Sequence, residues 1–371
     1  GEEFLPRLGV SPAYIQHFWG FLCHAILNVP IEEVSAAALV NFFQKMVGRS
    51  SMEMGFSDGG LGNLLTPAKD ILPALGATIL MNTEVTQFLG DGDHCTGVEL
   101  DDGRRLLARR GVVSTLPPMS LLPLLPAPMK EHAAIRDLEK LRPCKYLSVY
   151  VWFDRKVTEG RQMWARTYSK NDMNCEFYDF SEIYTGVDHT GKPWKDRPSF
   201  VGSNIIDSGR MSEMSDEEIV AGTIKEMAET YDAVREAKVL HSVVNRVPMA
   251  IHRPVVGTER LRPDQASPVK GLFFAGCWTR TGFPSSMESS ARAGFLAAER
   301  LLERAGLAAG PIAIPYGSAG NWSGVELGAK LVGKLDVLRP MLLSPLFRAL
   351  VWLSGGPSDE PGRGAAVRSR L

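Results

Sequence analysis

The sequence predicts an α/β or α+β fold with a mixed sheet and a ligand site where a strand runs into a helix. Apolar residues keep helical spacing between residues 11 and 75, and the pattern then alternates through residues 78–114. Residues 271–302 join a short apolar run, through glycine, to an amphipathic helix. A strand that feeds a helix N-terminus directs free N–H groups at a ligand, so a binding site is expected there.

Composition limits the class of protein. The 371 residues suffice for two domains, and 44% hydrophobic residues can form a sizeable core. The net charge of −1 argues against nucleic-acid binding. Five scattered cysteines without a C-x-x-C pair predict reduced thiols, and the unclustered histidines predict no metal site.

The first part of the chain is predicted to be helical. Ser11 and Pro12 form a helix start, because serine caps a helix and proline suits its first position. Further helices are expected over residues 32–47 and 64–75. Between them, the glycines at residues 59–62 predict a turn that crosses between domains and not a phosphate loop, since no strand precedes them.

Strands are predicted next, separated by turn residues. The segments are 78–81, 84–89, 96–100, 105–114, 145–153, 163–168, 174–180 and 239–247. A helix opens at Ser215, where Glu218 completes a capping box.

The last strand and helix lie in residues 271–302. Residues 272–275 predict a buried strand, and Gly276 permits a sharp turn or a close approach to a ligand. Ser285 with Glu288 predicts a capping box at the start of the helix. The predicted apolar stripe of this helix comprises Met287, Ala291, Gly294, Phe295, Ala298, Leu301 and Leu302.

This segment resembles the C-terminal flavin-binding motif of the flavin amine oxidase superfamily, in particular that of the carotenoid (phytoene and ζ-carotene) desaturases. Residues 262–265 (RPDQ) and 268–270 (PVK) are similar to the ζ-carotene type. The resemblance implies that FAD is the cofactor and names no catalytic residue. The cofactor contacts that it implies are Gly276, Cys277, Trp278, Thr279 and Met287, with Val85 and Thr115 along the adenine and ribityl path. Glu288 is a further candidate at the flavin, its other predicted role being the partner of Ser285 in the capping box.

The chain departs from this family at three places. Most relatives have an acidic residue at the position of Cys277, and a Gly-Ala pair at the position of Ser289 and Ser290. Members of the family begin with a strand, G-x-G-x-x-G and a helix that bind the FAD pyrophosphate. No such motif occurs in this chain, which begins at Gly1, so the dinucleotide-binding unit is expected to be absent from it.

The resemblance also implies a division of the chain. Residues 1–57 would belong to the helical substrate region, residues 58–120 to the return into the flavin domain, and residues 121–255 to the substrate domain. Residues 256–305 would form the C-terminal flavin-binding motif. Residues 306–371 would form a tail. In its segment 330–353, leucines and Trp352 interleave with four cations, which predicts contact with a membrane or a partner; two packed helices are the alternative.

Three candidate functions follow, two of them flavoenzymes and one from a different class. The first is an FAD-dependent oxidoreductase of the carotenoid desaturase type acting on a long apolar polyene, if a dinucleotide-binding unit precedes Gly1. Candidate tunnel walls are Phe18, Trp19, Phe42, Phe43 and Phe283. The second is a catalytically silent relative, a pseudoenzyme, that serves as a structural or pigment-contacting subunit of a photosynthetic membrane complex. A third is a related flavoenzyme acting on another isoprenoid or on an amine, which an aromatic cage would favour. The resemblance implies a plastid or thylakoid location.

Overall fold

The computed structural model describes residues 3–43, 55–166, 172–307 and 310–313. The chain divides into two units, Gly1–Gln16 with Ile314–Leu371, and His17–Ala313. In the first unit lie α1 (Phe4–Arg7) and α2 (Pro12–Tyr14). Ser11 caps α2 by accepting a hydrogen bond from the amide of Tyr14 at 3.3 Å, which confirms the predicted helix start.

The second unit holds the other α-helices of the described residues. They are α3 (Gly20–Leu22), α4 (Ala36–Phe42), α5 (Ala68–Ala74), α6 (Pro118–Leu124), α7 (Ala127–Lys130), α8 (Ala133–Arg136), α9 (Phe180–Ile183), α10 (Asp216–Met227), α11 (Ala233–Glu236), α12 (Thr258–Leu261) and α13 (Met287–Arg304). Ser215 and Glu218 cap α10 as a capping box, as predicted.

The strands of the described residues form three sheets. They are β1 (Val85–Gly90), β2 (Cys95–Leu100), β3 (Arg105–Leu107), β4 (Val112–Ser114), β5 (Pro143–Phe153), β6 (Met163–Ala165), β7 (Glu176–Asp179), β8 (Phe200–Ile206), β9 (Val239–His252) and β10 (Leu272–Phe274). The sheet orders are β1-β2-β3, β10-β4 and β6-β7-β8-β5-β9.

Strand alternation gives the five-stranded sheet two different faces. On β5, Leu147, Val149 and Val151 are buried and belong to a core that includes Ile219 and Met227 of α10. The intervening side chains of β5, which include Tyr146, Ser148, Tyr150 and Trp152, are half-buried on the opposite face. That second face carries aromatic and polar groups.

Several predicted elements differ from those observed. Residues 78–81 are not a strand: they pair with no strand of the described structure, and their side chains are exposed. The predicted strand 105–114 is broken into β3 and β4, with Gly111 at φ +155° between them. A side chain at Gly111 would lie 2.7 Å from the ring of Phe273, so the break admits that ring. Residues 64–75 form only the end of a 3₁₀ turn (Leu61–Leu64) and α5.

The buried face of α13 also differs from the prediction. Ser289, Ala293 and Ala297 are buried, whereas Met287 is 61% exposed and Phe295 is 51% exposed. The two alanines cluster with Ala275, the residue after β10. Small side chains at four-residue spacing let the helix approach the strand closely, which a stripe of larger residues would prevent.

Three predictions concern residues beyond those described. Residues 44–47 of the predicted helix 32–47, residues 167–168 of the predicted strand 163–168, and nearly all of the tail lie outside the described residues. Among the residues that the structure does describe, no helix has the length and apolar character needed to cross a bilayer.

Candidate functional site

The candidate site begins where two parallel strands end side by side. β4 and β10 pair in parallel, with Phe274 opposite Ser114. The amide of Ala275 donates to the carbonyl of Ser114 at 2.8 Å, so Thr115 and Gly276 leave the sheet as neighbours. Ligands of α/β proteins bind at the carboxyl ends of parallel strands, and both predicted contacts lie at such an edge.

Gly276 starts a tight turn that only glycine fits. Its φ is +125°, and a Cβ atom there would lie 2.8 Å from Nε1 of Trp278. Thr279 closes the turn by donating to the Gly276 carbonyl from its amide at 3.0 Å and from Oγ1 at 2.9 Å. The predicted contacts 276–279 therefore form one compact feature.

Trp278 lies behind this turn. Its side chain is buried, and its ring packs at 5.4 Å from that of Phe274. The indole N–H is buried and has no hydrogen-bond partner among the described residues. Cys277, in contrast, is partly exposed.

Arg262 holds the loop that follows the turn. The residue is 2% exposed, and its guanidinium donates to the carbonyls of Cys277 at 3.0 Å, Thr279 at 2.7 Å and Phe283 at 2.9 Å. Its charge is balanced by Glu259, whose Oε2 lies 2.9 Å from Nη1. A buried, bonded guanidinium fixes three successive parts of the loop at once. Arg262 belongs to the RPDQ segment noted in the sequence, but the sequence did not predict this role.

Two further contacts fix the loop to its neighbours. Gln265 donates to Oγ1 of Thr279 at 2.9 Å and to the carbonyl of Arg280 at 3.1 Å. Oγ1 of Thr281 and Oγ of Ser289 lie 2.7 Å apart, both buried. Ser289, an apparent departure from the family pattern, thus links the loop to the first turn of α13.

The N-cap of α13 is Ser286 and not Ser285, so the predicted capping box is wrong. Oγ of Ser286 accepts from the amide of Ser289 at 3.1 Å, which places Glu288 inside the first turn, where it is exposed. An acidic side chain there still stabilises the helix dipole. Ser285 instead lies one residue before the cap.

Ser285 contacts a buried histidine. Its Oγ lies 3.2 Å from Nδ1 of His252. Burial, aided by the nearby charge of Arg262, lowers the pKa of His252 to about 3, so the ring is neutral at physiological pH. Sequence reasoning found no partner for His252, because the two residues are distant along the chain.

The structure thus brings most of the predicted contacts together. Gly276, Cys277, Trp278 and Thr279 share one turn, and Thr115 lies beside it. Met287 and Glu288 are exposed in the helical turn that Ser289 joins to the loop. Val85 lies on β1 in a separate sheet, paired with Leu100, and no described contact joins it to the turn.

These residues fit one part of FAD. The Gly276 turn leaves backbone where a Cβ would intrude, and an unpaired indole N–H lies beside it. The α13 N-terminus offers a positive dipole end to a carbonyl, while Glu288 disfavours phosphate there. The flavin and ribityl portion therefore suits this edge. A phosphate-binding glycine motif is absent from the sequence, so these residues do not account for the pyrophosphate.

A cleft of about 350 Å³ opens on the aromatic face of the five-stranded sheet. Six aromatic residues line it: Phe56, Tyr146, Tyr150, Tyr178, Phe180 and Tyr184. Ser57, Ser148, Ser203, Asn204 and the loop around Gly60 complete the lining. Phe56 contacts Tyr178 edge to face at 5.9 Å, and the amide and hydroxyl of Thr185 donate to the Asp58 carboxylate. Together these contacts hold the loop over the sheet.

Gly202 forms the floor of this cleft. A Cβ on Gly202 would lie 2.5 Å from the ring of Phe180 and 3.0 Å from that of Tyr150. Its strand, β8, was not predicted, and neither was the cleft. None of the five predicted tunnel walls lines it; Trp19 and Phe42 are buried, and Trp19 packs on Phe43 at 5.0 Å.

Comparison with known proteins gives the family context. The family described as flavin containing amine oxidoreductase matches residues 11–302. The chain is 25% identical over 317 residues to the 15-cis-phytoene desaturase of Synechococcus elongatus, covering 81% of this chain and 64% of that protein. It is 27% identical over 323 residues to the 15-cis-phytoene desaturase, chloroplastic/chromoplastic, of Capsicum annuum, covering 81% and 52%.

A solved structure supports the fold. An oxidoreductase from Methanosarcina mazei superposes with a TM-score of 0.62 at 18% identity, covering 81% of this chain and 67% of that protein. The chain spans about half to two thirds of the length of the curated relatives that it matches.

Proposed function

The chain belongs to the flavin containing amine oxidoreductase family and is similar to carotenoid desaturases, and on that premise we propose that it is part of an FAD-dependent oxidoreductase of the desaturase type. The proposed substrate is a long apolar polyene. The observation that carries the proposal is the turn at Gly276, at the carboxyl ends of β4 and β10. There the glycine geometry lies beside a buried indole N–H that has no partner among the described residues, and the loop that follows leads to the N-terminus of α13.

The protein's own residues are proposed to orient and to exclude water. Bound FAD supplies the acceptor for a hydride leaving the substrate. Gly276 and Thr115 would lie along the ribityl chain, and the first turn of α13 would face the pyrimidine carbonyls. Arg262 acts through the loop that it holds and is a positioning residue. The aromatic cleft offers flat apolar walls for an unsaturated chain.

An amine substrate is the second candidate, because the cleft is lined by aromatic rings. Against it, none of the residues lining the cleft is acidic, so a protonated amine would lose water without gaining a countercharge. Neither the fold nor the comparisons favour the silent structural subunit.

We also propose that the protein is located in a plastid and contacts a membrane. The name of the Capsicum annuum relative includes the words chloroplastic/chromoplastic, which supports a plastid location for this protein. A polyene substrate would be delivered from a membrane, and the sequence of residues 330–371 supports contact with lipid.

The test is anaerobic mixing of the natural-length flavoprotein with 15-cis-phytoene in detergent. Desaturation removes a hydride and a proton from adjacent carbons, so flavin absorbance should bleach while polyene absorbance shifts to longer wavelength. Bleaching by a hydrophobic amine and not by phytoene would favour the second candidate. Bleaching by neither would contradict both.

A further inference from the structure

The aromatic cleft contains polar groups that a hydrocarbon could not satisfy. The hydroxyls of Tyr146, Tyr150 and Tyr184 line it, and none of the three has a hydrogen-bond partner among the described residues. Each would lose water when a ligand enters. A site with polar atoms of this kind binds a ligand that can hydrogen-bond them more tightly than one that cannot.

Strand register gathers these groups in one place. Ser148 of β5 lies directly opposite Asn204 of β8, and Tyr150 lies opposite Gly202. Tyr146, Ser148 and Tyr150 follow at every second residue and so share one face. The cleft floor therefore carries a serine and an amide flanked by two tyrosines.

The cleft is also uncharged. None of its lining residues is Asp, Glu, Lys, Arg or His. Glu176, which is not among the lining residues, is hydrogen-bonded by Tyr178 and Asn204, and burial raises its pKa. Burial likewise raises the pKa of Tyr146 and Tyr178, so both phenols stay protonated. A cationic ligand would therefore find no acidic side chain among the residues that line the cleft.

We propose that the part of the substrate entering this cleft is neutral and carries an oxygen function, a hydroxyl or a carbonyl, that hydrogen-bonds Tyr146, Tyr150 and the Ser148–Asn204 pair. The preferred ligand class is a long unsaturated isoprenoid that is apolar along its chain and carries an oxygen function at the end that enters the cleft; a pure hydrocarbon such as phytoene binds more weakly. This inference rests on the proposed function, since it takes the cleft to be the substrate site.

Binding of three matched probes tests it. All-trans-retinol, its deoxygenated counterpart axerophthene and retinylamine share one polyene but end in a hydroxyl, a methyl and an ammonium group. Each is titrated into the full chain, with quenching of protein fluorescence as the readout. We expect retinol to bind about tenfold or more tightly than axerophthene, because one or two hydrogen bonds are gained, and retinylamine to bind more weakly than retinol.

Variants locate the effect. The Tyr146→Phe, Tyr150→Phe double variant keeps both rings and should bring retinol affinity down to that of axerophthene, whose own affinity stays unchanged. Tyr14→Phe, a 52% exposed tyrosine outside the cleft, is the control and should bind all probes like the wild type. If the double variant does not fold, Ser148→Ala replaces it, with the same loss expected to a smaller degree.

Equal affinities for retinol and axerophthene, or tightest binding of retinylamine, would overturn the proposal. So would a retinol preference that survives the double variant. The titration needs no flavin, so it is separate from the test of the proposed function: phytoene oxidation by a protein without the retinol preference refutes only this inference.

Discussion

At the scale of single residues, the site depends on Arg262 more than on any predicted contact. Its guanidinium bonds to three loop carbonyls, to Thr281 at 3.2 Å and to Glu259. These acceptors are fixed in directions that match the planar fork of arginine and not the point charge of lysine.

Arg262→Lys should therefore lower the free energy of unfolding by about 3 kcal/mol, because several buried carbonyls lose their donors. Urea denaturation measures this. The control is Arg280→Lys, since Arg280 is exposed on the same loop and should change stability by less than about 0.5 kcal/mol. If the Arg262→Lys protein were as stable as the wild type, contacts other than those of Arg262 would hold the loop.

Substitution by alanine should have opposite effects on stability at Gly276 and at Gly294. Gly276→Ala puts a Cβ beside Nε1 of Trp278 at a positive φ, and should destabilise by about 1–3 kcal/mol. Gly294→Ala lies in α13 with nothing within 4 Å of the added carbon, and should stabilise by about 1 kcal/mol. Thermal melting of both variants checks the contrast, and a shared sign would contradict it.

His24 and His252 should make stability depend on pH. Burial lowers their folded-state pKa values to about 4 and about 3, below the usual 6.5. As pH falls through about 6.5, the unfolded chain binds protons that the folded chain does not, so stability falls by up to about 1.4 kcal/mol per pH unit for each histidine.

Urea unfolding at about pH 7.5 and about pH 5 measures this loss. His252→Asn should reduce the loss relative to the wild type, whereas His189→Asn, at an exposed histidine, should leave it unchanged. A pH response that is the same in His252→Asn and the wild type would exclude His252 as a source.

At the scale of elements, the arrangement of the site depends on the residue at which α13 begins and on the side of the helix that is buried. The chain offers two adjacent serines, and only Ser286 has extended backbone with its Oγ bonded to the amide of Ser289. The helix then lays Ala293 and Ala297 against Ala275. This close approach packs the middle of α13 against the residue before Gly276, and the contact between Thr281 and Ser289 joins the first turn of the helix to the loop.

Ser286→Ala should cost about 1 kcal/mol of stability because the first turn loses its cap. Ser290→Ala, an exposed position in the same helix, should be neutral or slightly stabilising. Chemical denaturation of the two variants measures the difference in stability. Equal stabilities would show that Ser286 is not a cap of consequence.

Elements with a local signal were predictable from the sequence. The Ser11 and Ser215 caps, β1, β2, β5 and β10 carry their own periodicity or turn residues. Elements defined by distant partners were not. β8 holds Gly202, Ser203 and Asn204, which weaken a strand pattern, yet seven register pairs with β5 place it in the sheet. The aromatic cleft and the Arg262 contacts also join residues far apart along the chain, which periodicity cannot show.

At the scale of the whole molecule, the described residues would supply one side of the proposed flavin site. The described residues supply the Gly276 turn and the α13 N-terminus but no glycine motif for pyrophosphate. The curated relatives extend well beyond the matched region, since the chain covers 64% and 52% of their lengths. The 371 residues alone are therefore expected to bind FAD weakly, because the pyrophosphate lacks backbone donors and a helix dipole.

The most direct test of the account is the absorbance spectrum of the natural-length protein after purification, with protein and released flavin quantified on the same sample. We predict oxidised-flavin absorbance at close to one FAD per chain, lost on denaturation and returned by adding FAD to the refolded protein. A folded natural-length protein that is colourless and takes up no FAD would contradict the central claim that this chain is part of a flavin-dependent oxidoreductase.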